Sequence, residues 1–306
     1  MALVTLGQMV QMFIMIAIGW LLFNLKIFNA DMNRRLTTLL LDVTLPLMIL
    51  HSVFEQTGAR ETGRVLYAFA VAAVLFAVLP LLSMAIVKLL RMPKGTQGMY
   101  AFMMTFANVG FMGMPLINSI YGSEGMLYMV VFNIVFNVFV FTVGVWLVFY
   151  DREDKFTISA KRMLSPTLIG CVIAVAVYFT GLQLPSPVES AIGTVGATTT
   201  PLAMMIIGST LASMRFSDVF GGWRSYVFCA IKQFALPLAG WYVLGALIGD
   251  ELIRDIAFFM LALPAANIAV MFATEYQVNE SMSAKNVFLT TIAALVSIPL
   301  LALICF

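Results

Sequence analysis

The sequence predicts an all-α protein that crosses a membrane many times, and three observations carry that prediction. Of its 306 residues, 62% are hydrophobic and only 10% are charged, whereas a soluble domain carries about 25% charged residues. Mean hydropathy is +1.00. Apolar stretches near the ~20 residues that a spanning helix needs recur from end to end. Proline motifs also recur in one order in both halves, so the spans are expected to form two related sets.

Taken in order, the expected spans are 6–25, 36–54, 65–90, 98–121, 126–150, 164–182, 188–213, 223–249, 254–275 and 284–305. The first is span-length and lacks a basic leader, so no cleavable signal is expected. Cys171, Cys229 and Cys305 lie in apolar segments without paired spacing, so neither a disulfide framework nor a metal site is expected. The net charge of +2 says nothing about a polyanionic partner, and neither a cofactor nor a nucleic-acid partner is expected. Catalytic signatures are missing as well: there is no H-E-x-x-H, G-x-S-x-G or P-loop, so an enzyme is not expected.

Basic residues set the expected orientation. Alternate connections hold Lys26, Arg34 and Arg35; Lys88, Arg91 and Lys94; Arg152, Lys155, Lys161 and Arg162; Arg215 and Arg224; and Lys285. The opposite connections hold only Arg60, Arg64 and Arg254. Thirteen against three is a strong positive-inside bias. It places both termini on the non-cytoplasmic side of the inner cell membrane and the 151–162 connection in the cytoplasm.

The repeat follows from four pairs. Pro46 in T-L-P-L-M matches Pro201 in T-T-P-L-A, 155 residues on, and Pro80 matches Pro237, 157 residues on. Pro115 matches Pro264, and Asn137 in N-V-F-V-F-T matches Asn286 in N-V-F-L-T-T, each 149 residues on. Five spans per half is an odd number, so the halves enter the membrane in opposite senses. The expected organisation is residues 1–150 as one five-helix repeat, 151–163 as a linker and 164–306 as the inverted repeat.

The fourth span is the unusual one. It contains N-V-G-F-M-G-M-P-L-I-N from Asn108 to Asn118. Pro115 removes an N–H and crowds the carbonyl of Phe111, while Gly110 and Gly113 let the backbone leave helical geometry. Unwound backbone at bilayer depth needs protein or a water-filled cavity around it. The functional reading is a discontinuous helix whose broken middle holds a solute; an ordinary proline kink is the alternative. Pro264 in the ninth span is the corresponding break, and Asn267 follows it by three residues. Asn137 on the fifth span could line the same site or bond a neighbouring helix.

Two charges fall at membrane depth, where they are costly and usually functional. Asp42 lies four residues before Pro46, so an α-helical register leaves its own carbonyl free. It is a candidate proton carrier, because desolvation favours the neutral carboxyl group. Lys232 lies short of Pro237 and could attract an anionic solute, pair with a carboxylate or snorkel to the surface.

These motifs resemble the auxin efflux carrier family. The signs are K-I-F-N-A-D-M-N at 26–33, L-P-L-M-I-L-H-S at 45–52, N-V-G-F-M-G-M-P-L at 108–116, L-P-A-A-N at 263–267 and F-A-T-E-Y-Q-V at 272–278. The resemblance implies ten helices in two inverted five-helix repeats, with the fourth and ninth broken and crossing, as in NhaA-type antiporters and bile-acid symporters. It implies alternating-access, elevator-type export of a small organic anion, such as a malonate-like dicarboxylate or an auxin-like acid. Asn108 takes the position of the substrate-contacting asparagine, and the crossover prolines carry over to Pro115 and Pro264. The first two helices of each half would form a scaffold and the other three a moving domain. A homodimer in the bilayer fits the same scheme. A sodium- or proton-coupled carrier and a non-transporting solute sensor are the alternatives.

Overall fold

The computed structural model describes residues 2–55, 61–151, 165–213 and 222–305, so residues 152–163 of the expected linker lie outside it. The described chain is helical: α1 (Ala2–Asn24), α2 (Ala30–Phe54), α3 (Thr62–Leu89), α4 (Gln97–Thr105), α5 (Val109–Phe149), α6 (Pro166–Thr180), α7 (Ser186–Ser213), α8 (Trp223–Leu247), α9 (Glu251–Ala262), α10 (Ile268–Glu275) and α11 (Glu280–Cys305). Among the described residues six helices are long and apolar enough to cross a membrane: α2, α3, α5, α7, α8 and α11. The sequence suggested ten. The fourth and ninth expected spans are broken into short pieces, and the fourth continues into the fifth through Gly122, at φ 61 and ψ −151. The sixth falls short of span length, with Pro166–Thr180 as a shorter apolar helix, whereas the first, α1, runs for 23 residues.

Local chemistry explains where helices begin. Asn29 accepts from the N–H of Met32 at 2.8 Å ahead of α2, Ser165 from Leu168 at 3.1 Å ahead of α6, and Asp250 from Ile253 at 3.0 Å ahead of α9. Each satisfies an N–H that the first helical turn leaves without a partner. The first N–H of α4, on Gln97, is accepted by Asp151 Oδ2 at 3.0 Å.

Proline is accommodated by widening the turn before it. π-Helical turns cover Leu40–Thr44, Val109–Gly113 and Ile231–Ala235, and each is followed by one residue and then by Pro46, Pro115 or Pro237. A five-residue hydrogen-bond step moves the preceding carbonyl away from the proline ring. At Pro46 this corrects the expectation for Asp42. The N–H of Leu45 donates to the Leu40 carbonyl, so the carbonyl left without its five-residue donor is that of Leu41. The hydroxyl of Thr167 on α6 fills that place at 2.7 Å.

The chain forms two compact units. The first comprises Met1–Phe69, Gly110–Ile134 and Leu164–Arg215; the second comprises Ala70–Val109, Val135–Met163 and Phe216–Phe306. In the first unit α1 and α7 touch backbone to backbone. A Cβ on Gly208 would fall on the carbonyl oxygen of Ile16, and one on Gly19 on that of Met205. Small residues at such contacts let membrane helices approach closely. Arg64 ties the start of α3 to α5, reaching Glu124 at 2.9 Å and lying over the ring of Tyr128. Asn133 donates to Cys171 Sγ at 3.3 Å, which makes it helix-to-helix glue.

The second unit is built around packed aromatic rings. Phe76 packs on Phe106 and Phe136, and Phe102 on Phe106 and Phe272, with centroids 4.9–6.3 Å apart. Aromatic pairs at such distances add to area burial. Here they enclose the end of α4 and the backbone that follows it.

Candidate functional site

Two broken helices meet inside the second unit. The chain leaves helical geometry after Thr105, and Phe106 is extended at φ −99 and ψ 118. It does so again after Ala262, with Leu263 at φ −61 and ψ 148. The two extended segments pair antiparallel, with Ala107 opposite Ala265. The N–H of Asn108 donates to the Pro264 carbonyl at 2.9 Å, and the N–H of Ala266 to the Phe106 carbonyl at 3.0 Å. Each break thus supplies the hydrogen bonds that the other lacks, which is what backbone at bilayer depth requires. Ala107 and Ala265 are both buried, and their small side chains let the two backbones approach.

In this pairing the N–H of Ala265 points away from Ala107. Thr290 Oγ1 on α11 accepts it at 3.2 Å and donates back to the Asn286 carbonyl at 2.8 Å. Thr105 Oγ1 donates to Ser83 Oγ at 3.0 Å, both buried, and holds the end of α4 to α3. The sequence reading missed Thr290, Thr105 and Ser83. A lone hydroxyl in an apolar span carries no signal of its partner.

Asn108 and Asn267 occupy matching places, each immediately before the helix that restarts the chain, α5 and α10. Asparagine is favoured at such N-terminal caps. The N–H groups of Val270 and Met271 already reach the Asn267 carbonyl at 3.0 and 3.3 Å. Asn108 is buried, and Asn267 is exposed. The crossing therefore gathers two helix C-termini, of α4 and α9, and two N-termini, of α5 and α10.

Of the residues singled out from sequence, Asn108, Pro264 and Asn267 come together at this crossing. Gly110 and Pro115 do not lie in the break. They follow it, in the first unit, where the π-helical turn at 109–113 relieves Pro115. The non-helical residues are Phe106–Asn108, upstream of the glycines and proline that suggested a break. Asn137 is half-buried on α5, next to Phe136, whose ring packs edge-on at 5.6 Å against Phe106. Asp42 belongs to the first unit and is exposed there, and no described residue bonds its carboxylate.

Lys232 does not snorkel. It is fully buried, and its Nζ donates to the carbonyl of Leu261 at 3.2 Å, in the last turn of α9. The next residue, Gln233, is also fully buried and accepts from Ser297 Oγ at 2.9 Å. Among the described residues no group of three His, Cys, Asp or Glu side chains could hold a metal ion.

Comparison with known proteins places the chain among membrane transport proteins. The chain matches the family described as "Membrane transport protein" over residues 4–162 and 155–302. An uncharacterized transporter of Methanothermobacter thermautotrophicus is 22% identical over 292 residues, 94% of each chain. An uncharacterized transporter of Methanocaldococcus jannaschii is 24% identical over 201 residues. The aligned region is 63% of this chain and 63% of that relative.

Proposed function

Because the chain belongs to the membrane transport protein family of the auxin efflux carriers, we propose that it is a secondary transporter that exports a small organic anion by alternating access. The observation that carries this reading is the paired break at Ala107 and Ala265 with an asparagine ahead of each restarting helix. Helix N-termini present N–H groups and a partial positive charge, which suit a carboxylate. Asn108 supplies a buried amide beside them, and Asn137 and Asn267 are further candidate contacts. Catalysis has no place in this reading. It retains ten helices in two inverted repeats, residues 1–150 and 164–306 with a 151–163 linker, their fourth and ninth helices broken at the crossing.

The division into two compact units supports an elevator-type cycle. The first unit collects residues 1–69 and 164–215, the first two spans of each half, with 110–134 added. These would form the scaffold, and the second unit, which contains the crossing, would move. The test is counterflow in proteoliposomes. Labelled malonate or indole-3-acetate loaded on one side should exchange with unlabelled acid on the other, and binding without exchange would instead make the protein a solute sensor.

The sidedness proposed is an inner-membrane protein with both termini outside. After replacement of Cys171, Cys229 and Cys305, a cysteine placed at residue 155 should resist an impermeant thiol reagent added to intact cells. Ready labelling would reverse the orientation.

One observation favours a proton-coupled version of the same cycle. Asp42 is an acid within an apolar span, and its carboxylate has no protein partner among the described residues. Asparagine mimics the neutral acid but releases no proton. Asp42→Asn should therefore abolish acceleration of flux by a pH gradient and leave substrate affinity within about two-fold, less than the roughly 1.4 kcal/mol of a ten-fold change. A full pH-gradient response in the variant would remove Asp42 from coupling. A wild type driven by voltage alone would make the protein a uniporter.

A further inference from the structure

The four helix ends at the crossing have no net preference for either sign. Each N-terminus carries roughly +0.5 and each C-terminus roughly −0.5 of an elementary charge, and α5 and α10 contribute two of the first kind while α4 and α9 contribute two of the second. A site made of these ends alone would hold a cation about as well as an anion.

We propose that Lys232 sets the sign of this site and makes it select anions, an inference that rests on the transporter reading above. Its Nζ ends on the carbonyl of Leu261, within the last turn of α9 and three residues ahead of Pro264. An ammonium there outweighs the negative end of α9 and leaves the crossing with a net charge of roughly +1. No acidic side chain among the described residues forms an ion pair with Lys232. The acid nearest in sequence on α9, Asp255, is engaged by Arg254 at 3.0 Å.

Hydrogen bonding points the same way. An ammonium has three N–H groups, and among the described residues one is accepted. Gln233 Nε2, on the adjacent residue, has no acceptor among the described residues, although the side chain is fully buried. Buried donors without acceptors are costly, and a buried charge without a partner more so. A carboxylate brings Lys232 both an acceptor and a countercharge; a neutral ligand brings at most an acceptor, and a cation brings neither. The π-helical turn that accommodates Pro237 carries both residues. The ligand class is a small carboxylate, and Lys232 is its specificity-determining residue.

The experiment uses the purified full chain and reads the shift in unfolding temperature with two acids and their uncharged amides: malonate with malonamide, and indole-3-acetate with indole-3-acetamide. Wild type should be stabilised by at least one acid and not by its amide. Lys232→Met should weaken the apparent affinity for that acid at least ten-fold, about 1.4 kcal/mol, while Lys232→Arg should keep the acid-over-amide preference. Lys232→Gln gives the same reading if the methionine variant does not fold. Acid affinity retained within two-fold in the uncharged variants overturns the role of Lys232 and leaves the anion carrier standing. Equal stabilisation by acid and amide in wild type also overturns it, and no response to either acid overturns both readings together.

Discussion

Asn108→Ala is expected to weaken anion binding by about 1–3 kcal/mol, the cost of leaving a buried partner without its hydrogen bond. That corresponds to roughly 5- to 150-fold in affinity. The substitution separates side chain from backbone. Asn108 meets Pro264 through its main-chain N–H, at 2.9 Å, and alanine keeps that bond, so the paired break survives the change. The amide is lost from a position that is only 4% exposed, where water cannot readily replace it. Titration of the variant with malonate and with indole-3-acetate, beside an unfolding curve, checks this. A variant that folds normally and binds as the wild type does would take Asn108 out of the site.

Thr290→Val should produce the largest loss of stability among single hydroxyl replacements in the second unit, about 1–2 kcal/mol. Interhelical side-chain bonds in membrane proteins average only about 0.6 kcal/mol, with a maximum near 1.7. Thr290 belongs at the upper end because its oxygen accepts the N–H of Ala265, which the pairing with Ala107 directs away from any backbone acceptor. Valine has the same shape and no oxygen, so that N–H is left buried and unsatisfied. Thr291→Val is the internal control. Its hydroxyl donates to the Val287 carbonyl one turn back, at 2.7 Å, within its own helix. Urea or thermal unfolding of the two variants should separate them clearly, and equal losses would show that the Ala265 contact carries no special weight.

The candidate site was partly legible in the sequence. Asn108, Pro264 and Asn267 stand out because amides and proline are conspicuous in apolar spans, and the structure places all three at the crossing. Pro115 and Gly110 stood out for the same reason, but the backbone breaks before them. A proline marks where a hydrogen bond is missing, and a π-helical turn is enough to absorb that loss. Full departure from helix at Phe106–Asn108 needs another segment to supply acceptors and donors, and Pro264–Ala266 lies more than 150 residues away. Nothing local to residues 106–108 announces that partner.

Lys232 shows the same division between local and non-local causes. The sequence says that a charge stands within an apolar segment, which is a statement about composition. Whether the ammonium reaches the surface or stays inside depends on the packing of α8 against α9 and α11, and the structure keeps it fully buried on Leu261. The sequence by itself determined that the protein is helical, lies in a membrane and is interrupted near its asparagines, because hydropathy and missing N–H groups act residue by residue. Only the tertiary structure decided where the helices break, which carbonyl each proline leaves free and what Lys232 faces, because each of these is fixed by a hydrogen-bond partner distant in the chain.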